Sequence, residues 1–275
     1  MNHKIRMIGL DLDGTLLTTK KEVTPYTRAV LEKAMAQGIE VLVSTGRPIS
    51  AIPREVLSIA GMRYAVTSNG ARVLELKEQR VILESTVSME LADSLLELLK
   101  EYDAVLEIFL EGVSYARSRE LRQVYEYFEN PSMAEYVLRT RIPTADVREL
   151  LKEKQIPADK IHIIFRNPED QKDAYEKLQK IPEIVAVSSF GNNLEINKAG
   201  TDKGMGLLKL GELLGISREE IMACGDGMND YEMLKTVGFG VAMENAHPKL
   251  KEIADYITVT NDEDGVAKAI EKFAL

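Results

Sequence analysis

Short apolar runs alternate with amphipathic stretches along the first third of the chain. Three runs have the length and composition of buried strands: Ile5 to Leu10, 39–43 and 64–68. Two stretches are predicted as helices: one that begins at Thr24-Pro25 and ends at Gly38, and one over 48–60 that ends at Gly61. Asn69-Gly70 indicates a hairpin turn into a strand at 71–75. This alternation predicts a parallel sheet with right-handed crossovers.

The last third of the chain repeats the pattern. Strands are predicted at 221–224 and 239–243, and helices at 203–214, 231–237, after Pro248 and at 266–273. Gly215 ends the first of these helices, and Ser217 with Glu220 has the spacing of a capping box. Both ends of the chain therefore contribute to the same kind of α/β structure.

The middle of the chain has a different pattern. Helices are predicted at 88–101 and 169–180, and strands at 104–110, 114–116, 160–165, 184–188 and 193–196. The helical spacing of Leu91, Leu95, Leu98 and Leu99 is typical of a core-facing stripe. Paired strands without continuous parallel winding indicate an α+β insert at 85–189, within a core formed by 1–84 and 190–275.

Two acidic motifs follow predicted strands. Asp11-Leu12-Asp13-Gly14-Thr15 comes directly after the first strand, and 225–230, which contains Asp226 and Asp230, comes after 221–224. Carboxylates beside an apolar core are costly to bury, and a divalent cation such as Mg²⁺ would relieve that cost. Taken alone, the first motif also fits an ordinary Asp-Gly turn.

Two further motifs complete the set. Ser44-Thr45-Gly46-Arg47 follows the second strand, and Lys203 opens the helix at 203–214. With these four motifs in this order, the chain resembles the Cof-like branch of the haloacid dehalogenase superfamily of phosphohydrolases along almost its whole length. The resemblance implies a doubly wound, Rossmann-like core and a cap domain inserted after the third core strand.

The resemblance also implies a role for each motif. Asp11 is expected to be the nucleophile that forms an aspartyl-phosphate, and Asp13 the general acid and base. Mg²⁺ is expected to be held by the Asp11 side chain, the Asp13 backbone carbonyl and Asp226. Asp230 is expected to orient these ligands and Lys203.

The substrate phosphate needs hydrogen-bond donors. Thr45 can supply a hydroxyl group, and Lys203 supplies a positive charge that persists through the transition state. The expected phosphate-binding set is Leu12, Gly46, Arg47, Lys203 and Asn229. Tyr115, Arg117, Asn192 and Asn193 are weak candidates for substrate selection by the cap.

Composition narrows the class of protein. The net charge of −9 argues against a nucleic-acid-binding protein, which would have a basic stripe. No apolar run reaches membrane-spanning length, and the first residues lack a signal-peptide pattern, so we expect a cytoplasmic protein. The single cysteine, Cys224, is interpreted as core packing. His3, His162 and His247 are interpreted as surface or hydrogen-bonded groups, not metal ligands.

The sequence therefore predicts a Mg²⁺-dependent phosphatase of small phosphorylated metabolites, with sugar phosphates as the expected substrates. Two alternatives stay open. A phosphosugar mutase or phosphotransferase of the same superfamily would use the same Asp11 intermediate, and a non-catalytic regulator would only bind the phosphometabolite. The oligomeric state cannot be inferred from the sequence.

Overall fold

A computed structural model describes residues 4–275, so His3 lies outside the described part. The strands are β1 Met7–Leu10, β2 Glu40–Ser44, β3 Tyr64–Thr67, β4 Arg72–Glu75, β5 Arg80–Glu84, β6 Ala104–Leu110, β7 Val113–Arg117, β8 Ile142–Thr144, β9 Lys160–Phe165, β10 Ile184–Val187, β11 Asn193–Lys198, β12 Ile221–Gly225, β13 Phe239–Ala242 and β14 Tyr256–Ile257. The α-helices are α1 Pro25–Ala36, α2 Arg54–Leu57, α3 Met89–Leu99, α4 Ser118–Leu121, α5 Pro131–Thr140, α6 Val147–Lys154, α7 Pro168–Leu178, α8 Lys203–Leu214, α9 Tyr231–Thr236, α10 Pro248–Ile253 and α11 Gly265–Phe273. None of these helices is both long and apolar enough to span a membrane.

The chain forms two compact units. The first unit contains 4–46, Ile52–Glu84 and Asp202–Leu275, and the second contains Arg47–Ala51 and Ser85–Thr201. The first unit is built on an eight-stranded sheet in the order β14-β13-β12-β1-β2-β3-β4-β5, and the second on a six-stranded sheet in the order β10-β11-β9-β6-β7-β8. The predicted α/β architecture is confirmed.

The parallel part of the first sheet comprises β14, β13, β12, β1, β2 and β3. The strands β4 and β5 add to it in antiparallel fashion, which confirms the hairpin predicted at Asn69-Gly70. The short connection there explains the antiparallel direction, because parallel neighbours need a much longer crossover. Leu10 at the end of β1 pairs with Val43 in β2 and Cys224 in β12, which aligns the carboxyl ends of these strands.

The helices beside this sheet begin and end at the expected residues. The Thr24 side chain accepts a hydrogen bond from the Thr27 backbone N–H at the start of α1. Asp202 accepts one from Met205 at the start of α8, and Gly215 ends α8 in the left-handed conformation. These caps fix the position of Lys203, the first residue of α8.

The predicted helix over 48–60 is wrong. The structure has a 3₁₀ turn at Ile49–Ala51 and the four-residue helix α2 in its place. Pro53 explains the break, because it lacks a backbone N–H and disfavours helical geometry at the residue before it.

The second unit has one apolar and one largely polar sheet face. On the apolar face, Leu106, Ile108 and Ile163 belong to a core that also contains Leu95 and Leu99, with Leu91 and Leu98 packed against it. The predicted core stripe of α3 is confirmed.

The boundary predicted near 190 is displaced to Thr201, because β11 pairs with both β10 and β9 and so completes the second sheet.

Buried charges pair on the other face of the second sheet. Arg141 donates two hydrogen bonds to Glu107, at 2.9 and 2.8 Å, and His162 Nδ1 lies 2.8 Å from the same carboxylate. Lys160 Nζ donates to Glu195 at 2.6 Å. Burial opposes ionisation of Glu107, but Arg141 and His162 outweigh it and lower its pKa to about 2.

We predict that Glu107 makes the protein sensitive to acid. Because its folded-state pKa lies below the ordinary value of 4.5, its contribution to stability is complete above pH 5 and is lost as the pH falls toward 2. The contribution is on the order of 3 kcal/mol. Thermal unfolding of Glu107→Gln should show a lower Tm at pH 7 and a weaker decline below pH 5 than the unsubstituted protein. The exposed Glu153 supplies the control, Glu153→Gln, and equal pH profiles for all three proteins would contradict the assignment.

Candidate active site

Three acidic residues lie where central strands of the first sheet end. Asp11 follows β1, Asp226 follows β12, and Asp230 ends the 3₁₀ turn Met228–Asp230. The Asp11 backbone N–H donates to the Cys224 carbonyl at 3.0 Å, which joins the two strand ends. The carboxylates of Asp11, Asp226 and Asp230 each offer an oxygen within 4.8 Å of the other two.

Lys203 connects this carboxylate cluster. Its side chain is fully buried, and Nζ donates to Asp11 Oδ1 at 2.6 Å and to Asp230 Oδ1 at 2.7 Å. Burial disfavours the charged ammonium, but the two carboxylates outweigh burial and raise the pKa of Lys203. The lysine is therefore held as a fixed positive charge beside Asp11.

The remaining charge of the cluster is negative. When all three carboxyl groups are ionised, they face one ammonium group, and two negative charges among these four side chains are uncompensated. Burial raises the pKa of Asp11 well above its usual range, despite Lys203. Burial, together with the nearby Asp230, raises the pKa of Asp226 to about 7. Both shifts show that it is costly to ionise these carboxyl groups together at this depth, mainly because they are buried.

The donor set fits a hard divalent cation. The available ligand atoms are carboxylate oxygens, which Mg²⁺ prefers, and the uncompensated charge equals that of the ion. Asp230 Oδ2 accepts hydrogen bonds from the backbone N–H groups of Asp226 and Gly227, each at 3.0 Å. Both oxygens of Asp230 are thus engaged, one with Lys203 and one with the loop. The assignment of Asp11 and Asp226 as metal ligands, and of Asp230 as the residue that orients them, stays a prediction.

Asp226 is fixed by residues of the first motif. Thr15 Oγ1 donates to Asp226 Oδ1 at 2.7 Å. Gly14 lies so close that a Cβ atom built on it would be 2.3 Å from Asp226 Oδ2. Asn245 Nδ2 donates to the Gly14 carbonyl at 2.8 Å. We did not predict these roles for Thr15 and Asn245; Thr15 at least lies inside a motif, whereas nothing near Asn245 marks it.

Asp13 is more accessible than Asp11. Its side chain is 41% exposed, and its Oδ1 accepts a hydrogen bond from Lys21 Nζ at 2.7 Å. The carboxylate therefore lies at the open side of the motif. The roles of Asp13 as general acid and base, and of its carbonyl as a metal ligand, stay predictions.

The segment after β2 divides between the two units. Thr45 is buried, its N–H donates to the Val66 carbonyl, and its own carbonyl accepts from Asn69. Gly46 belongs with Thr45 to the first unit, but Arg47 belongs to the second. The Arg47 guanidinium lies 4.5 Å from the ring centroid of Tyr136 and donates to the Ala51 carbonyl at 2.9 Å. The structure thus groups Arg47 with the second unit.

The remaining residues considered in the sequence analysis make few polar contacts near the carboxylate cluster or none. The Leu12 side chain is fully buried, so only its backbone can face a ligand. Asn229 Nδ2 makes a long hydrogen bond of 3.4 Å to Asn69 Oδ1. Cys224 is buried in β12, and burial raises the pKa of its thiol to about 12, so it is inert core packing as predicted. His247 accepts a hydrogen bond from Lys249 N as the cap of α10.

The weak candidates in the second unit have structural partners. Arg117 pairs with Glu120, Asn192 donates to the carbonyls of Tyr127 and Phe165, and Asn193 contacts His162 Nε2 at 3.0 Å. Tyr115 packs against the apolar core. The more unusual residues are those that the sequence did not single out, the buried charges Glu107, Lys160 and Glu195 with Arg141. Glu107 and Lys160 stand in strands next to apolar residues, so each resembles an ordinary solvent-facing residue of an alternating strand.

We predict that Gly14→Ala weakens Mg²⁺ binding. The left-handed backbone at Gly14 (φ +79°) makes any substitution costly, and the new Cβ would also displace Asp226. Gly38→Ala is a matched control, because Gly38 has φ +86° and a Cβ atom added there would meet nothing within 4 Å. Both variants should lose about 1 kcal/mol of stability. Only Gly14→Ala should reduce Mg²⁺ affinity, by roughly tenfold to 100-fold, in calorimetric titration. Equal affinities would remove Gly14 and Asp226 from the metal site.

Comparison with known proteins identifies the family. The family model of the haloacid dehalogenase-like hydrolases matches residues 8–270. The chain is 29% identical to the Bacillus subtilis 5-amino-6-(5-phospho-D-ribitylamino)uracil phosphatase YcsE, over 98% of this chain and 96% of that protein. A solved haloacid dehalogenase-like hydrolase from B. subtilis is 30% identical, with a TM-score of 0.87 and coverage of 98% and 100%. The subclass IIB sugar phosphatase BT4131 is 25% identical, with a TM-score of 0.81 and 98% coverage of each chain. The chain therefore belongs to the haloacid dehalogenase-like hydrolases and is a phosphatase of their Cof-like branch.

Proposed function

We propose that this phosphatase is a cytoplasmic, Mg²⁺-dependent enzyme that hydrolyses small phosphorylated metabolites, sugar phosphates in particular, through an aspartyl-phosphate on Asp11. The observation that carries the proposal is the fully buried Lys203, which binds Asp11 and Asp230 next to Asp226. Burying a lysine between two acids costs free energy of folding. The positive charge of Lys203 beside Asp11 would stabilise the oxygens of a phosphoryl group during its transfer.

The first step transfers the phosphoryl group to the enzyme. A carboxylate oxygen of Asp11 attacks phosphorus, the bond from phosphorus to the ester oxygen breaks, and Asp13 gives its proton to that leaving oxygen. Lys203 binds Asp11 Oδ1 at 2.6 Å, which fixes the direction of the carboxylate before attack. The ammonium group also stabilises charge on the transferring phosphoryl oxygens.

The second step releases phosphate. Asp13 takes a proton from water, the water oxygen attacks phosphorus, and the bond from phosphorus to Asp11 breaks to leave inorganic phosphate and the free carboxylate. The greater exposure of Asp13 suits both steps, because its carboxyl group must reach first the leaving alcohol and then a water molecule. Thr45 and the backbone of Gly46 would bind the other phosphate oxygens.

Asp11, Asp226 and the Asp13 carbonyl would hold Mg²⁺, with Thr15 and Asp230 fixing Asp226 and its loop. When bound, the ion supplies charge neutralisation for the acidic cluster and for the phosphate oxygens. The chain's own residues remain responsible for nucleophilic attack and proton transfer.

The substrate class is proposed from the relatives and the second unit. One relative is named for a phosphorylated ribityl compound and another for sugar phosphates, so small polyhydroxylated phosphates are the first compounds to test. We propose that the second unit acts as the cap that selects among them, as expected for the insert at 85–189. A panel of phosphorylated sugars and sugar alcohols, assayed by released phosphate, tests this assignment.

We predict that Asp11→Asn abolishes phosphate release from p-nitrophenyl phosphate while the protein still folds. An amide has nearly the same shape as a carboxylate but cannot act as the nucleophile. Asp173→Asn, at a half-exposed position on α7, serves as the control and should keep full activity. A kcat near that of the unsubstituted enzyme, in a sample shown by mass spectrometry to be free of deamidation at position 11, would sink the assignment of Asp11.

We also predict strict dependence on a divalent cation. Treatment with EDTA should eliminate turnover of p-nitrophenyl phosphate, and added Mg²⁺ should restore it. Asp226→Ala should require a much higher Mg²⁺ concentration, or fail to recover, because one carboxylate ligand is missing. Full activity of the metal-free protein would refute the proposed metal role.

A further inference from the structure

A tight loop follows the first acidic motif. The Thr18 backbone N–H donates to the Glu22 carbonyl at 2.9 Å, and the Lys21 N–H donates to the Thr18 carbonyl at 2.8 Å. These bonds close a three-residue loop in which Lys21 occupies the left-handed conformation, with φ +64°. Glycine usually fills such a position because it lacks a Cβ atom, and asparagine does so because its short polar side chain forms local hydrogen bonds. Lys21 therefore carries a backbone strain that glycine would avoid.

The side chain of Lys21 makes one contact that bears on the active site. Its Nζ atom donates to Asp13 Oδ1 at 2.7 Å. The two side chains are 47% and 41% exposed, and an ion pair so accessible to water adds little to folding stability. The contact therefore does not offset the backbone strain by stabilising the fold. What it affects is the orientation of the Asp13 carboxyl group.

The backbone that carries Lys21 is itself anchored. Asn261 Nδ2 donates to the Leu17 carbonyl at 2.8 Å, and the Thr19 N–H donates to Asp262 Oδ1 at 2.8 Å. The Thr19 hydroxyl donates to the same carboxylate. The N-terminal side of the loop is thus anchored at Leu17 and Thr19, and Lys21 projects from it toward Asp13.

We propose that Lys21 is a positioning residue for Asp13. It holds the Asp13 carboxyl group in the orientation needed for proton transfer to the leaving oxygen and from water. This inference rests on the proposed function, because it concerns the residue assigned there as general acid and base. Proton transfer depends on orientation, and a carboxyl group without this ion pair would be held less firmly and would transfer protons less often.

A double-mutant cycle tests the proposal with two aryl phosphates. Phenyl phosphate has a more basic leaving group than p-nitrophenyl phosphate and depends more on protonation by Asp13. Lys21→Met should lower kcat/KM, which reports only on the step that expels the leaving group, by about threefold to tenfold for phenyl phosphate and by less than about twofold for p-nitrophenyl phosphate. In an Asp13→Ala background, the same substitution should have no further effect on phenyl phosphate, because Lys21 acts only through Asp13.

Three variants separate positioning from stability. Lys21→Gly relieves the left-handed strain, so it should keep or raise Tm while it lowers kcat/KM for phenyl phosphate as Lys21→Met does. Lys21→Arg keeps the positive charge and should recover most of the lost activity. Lys20→Met changes the exposed neighbouring lysine and should leave kcat/KM unchanged.

Several results would overturn the proposal. They are an unchanged or increased kcat/KM for phenyl phosphate in Lys21→Met, an equal loss of kcat/KM on both aryl phosphates, a loss that persists in the Asp13→Ala background, and a loss shared by Lys20→Met. Each leaves the assignment of Asp11 intact, so it is distinguishable from failure of the proposed function. If the unsubstituted enzyme releases no phosphate from either compound with Mg²⁺ present, the proposed function fails and this inference with it.

Discussion

The buried contact of Lys203 with Asp11 and Asp230 is the interaction on which the rest of the site depends. An isolated ammonium group or carboxylate would be too costly to bury at this depth, so each of these three residues requires the others. Their mutual attraction still leaves negative charge, because Asp226 joins the same cluster. This charge balance is what the proposed cation would complete. The proposed cation binding and the proposed nucleophilic role of Asp11 thus rest on the same electrostatic arrangement.

The sheet makes this arrangement possible. Pairing of Leu10 with both Val43 and Cys224 brings the ends of β1, β2 and β12 to one edge, where Asp11, Thr45 and Asp226 follow. The loop after β12 then turns so that Asp230 accepts two backbone N–H groups and faces Lys203. Residues from opposite ends of the sequence meet here because parallel strands share the direction in which they end. Thr15 and Asn245 add the contacts that hold Asp226 and Gly14 together.

Features that depend on neighbouring residues in the chain could be predicted from the sequence, whereas contacts between residues distant in the sequence could not. The strand runs, the caps at Thr24 and Gly215 and the four motifs depend on neighbouring residues, and they indicated the architecture and the family. The helix over 48–60 failed because Pro53 interrupts it, and the boundary near 190 failed because only sheet pairing assigns β11 to the second unit. Glu107 and Lys21 escaped notice for a related reason. A single charged residue in a strand or turn resembles a solvated one until its partner, Arg141 or Asp13, is known.

The central claim is that the Asp11 carboxylate forms a covalent bond to phosphorus. Borohydride reduction during turnover of p-nitrophenyl phosphate, followed by peptide mass spectrometry, tests it most directly, because an acyl phosphate is reduced whereas a free carboxylate is not. We expect homoserine at position 11, in amounts that depend on both substrate and Mg²⁺. Active enzyme that gives no homoserine, or homoserine at position 13 or 226 in its place, would contradict the account.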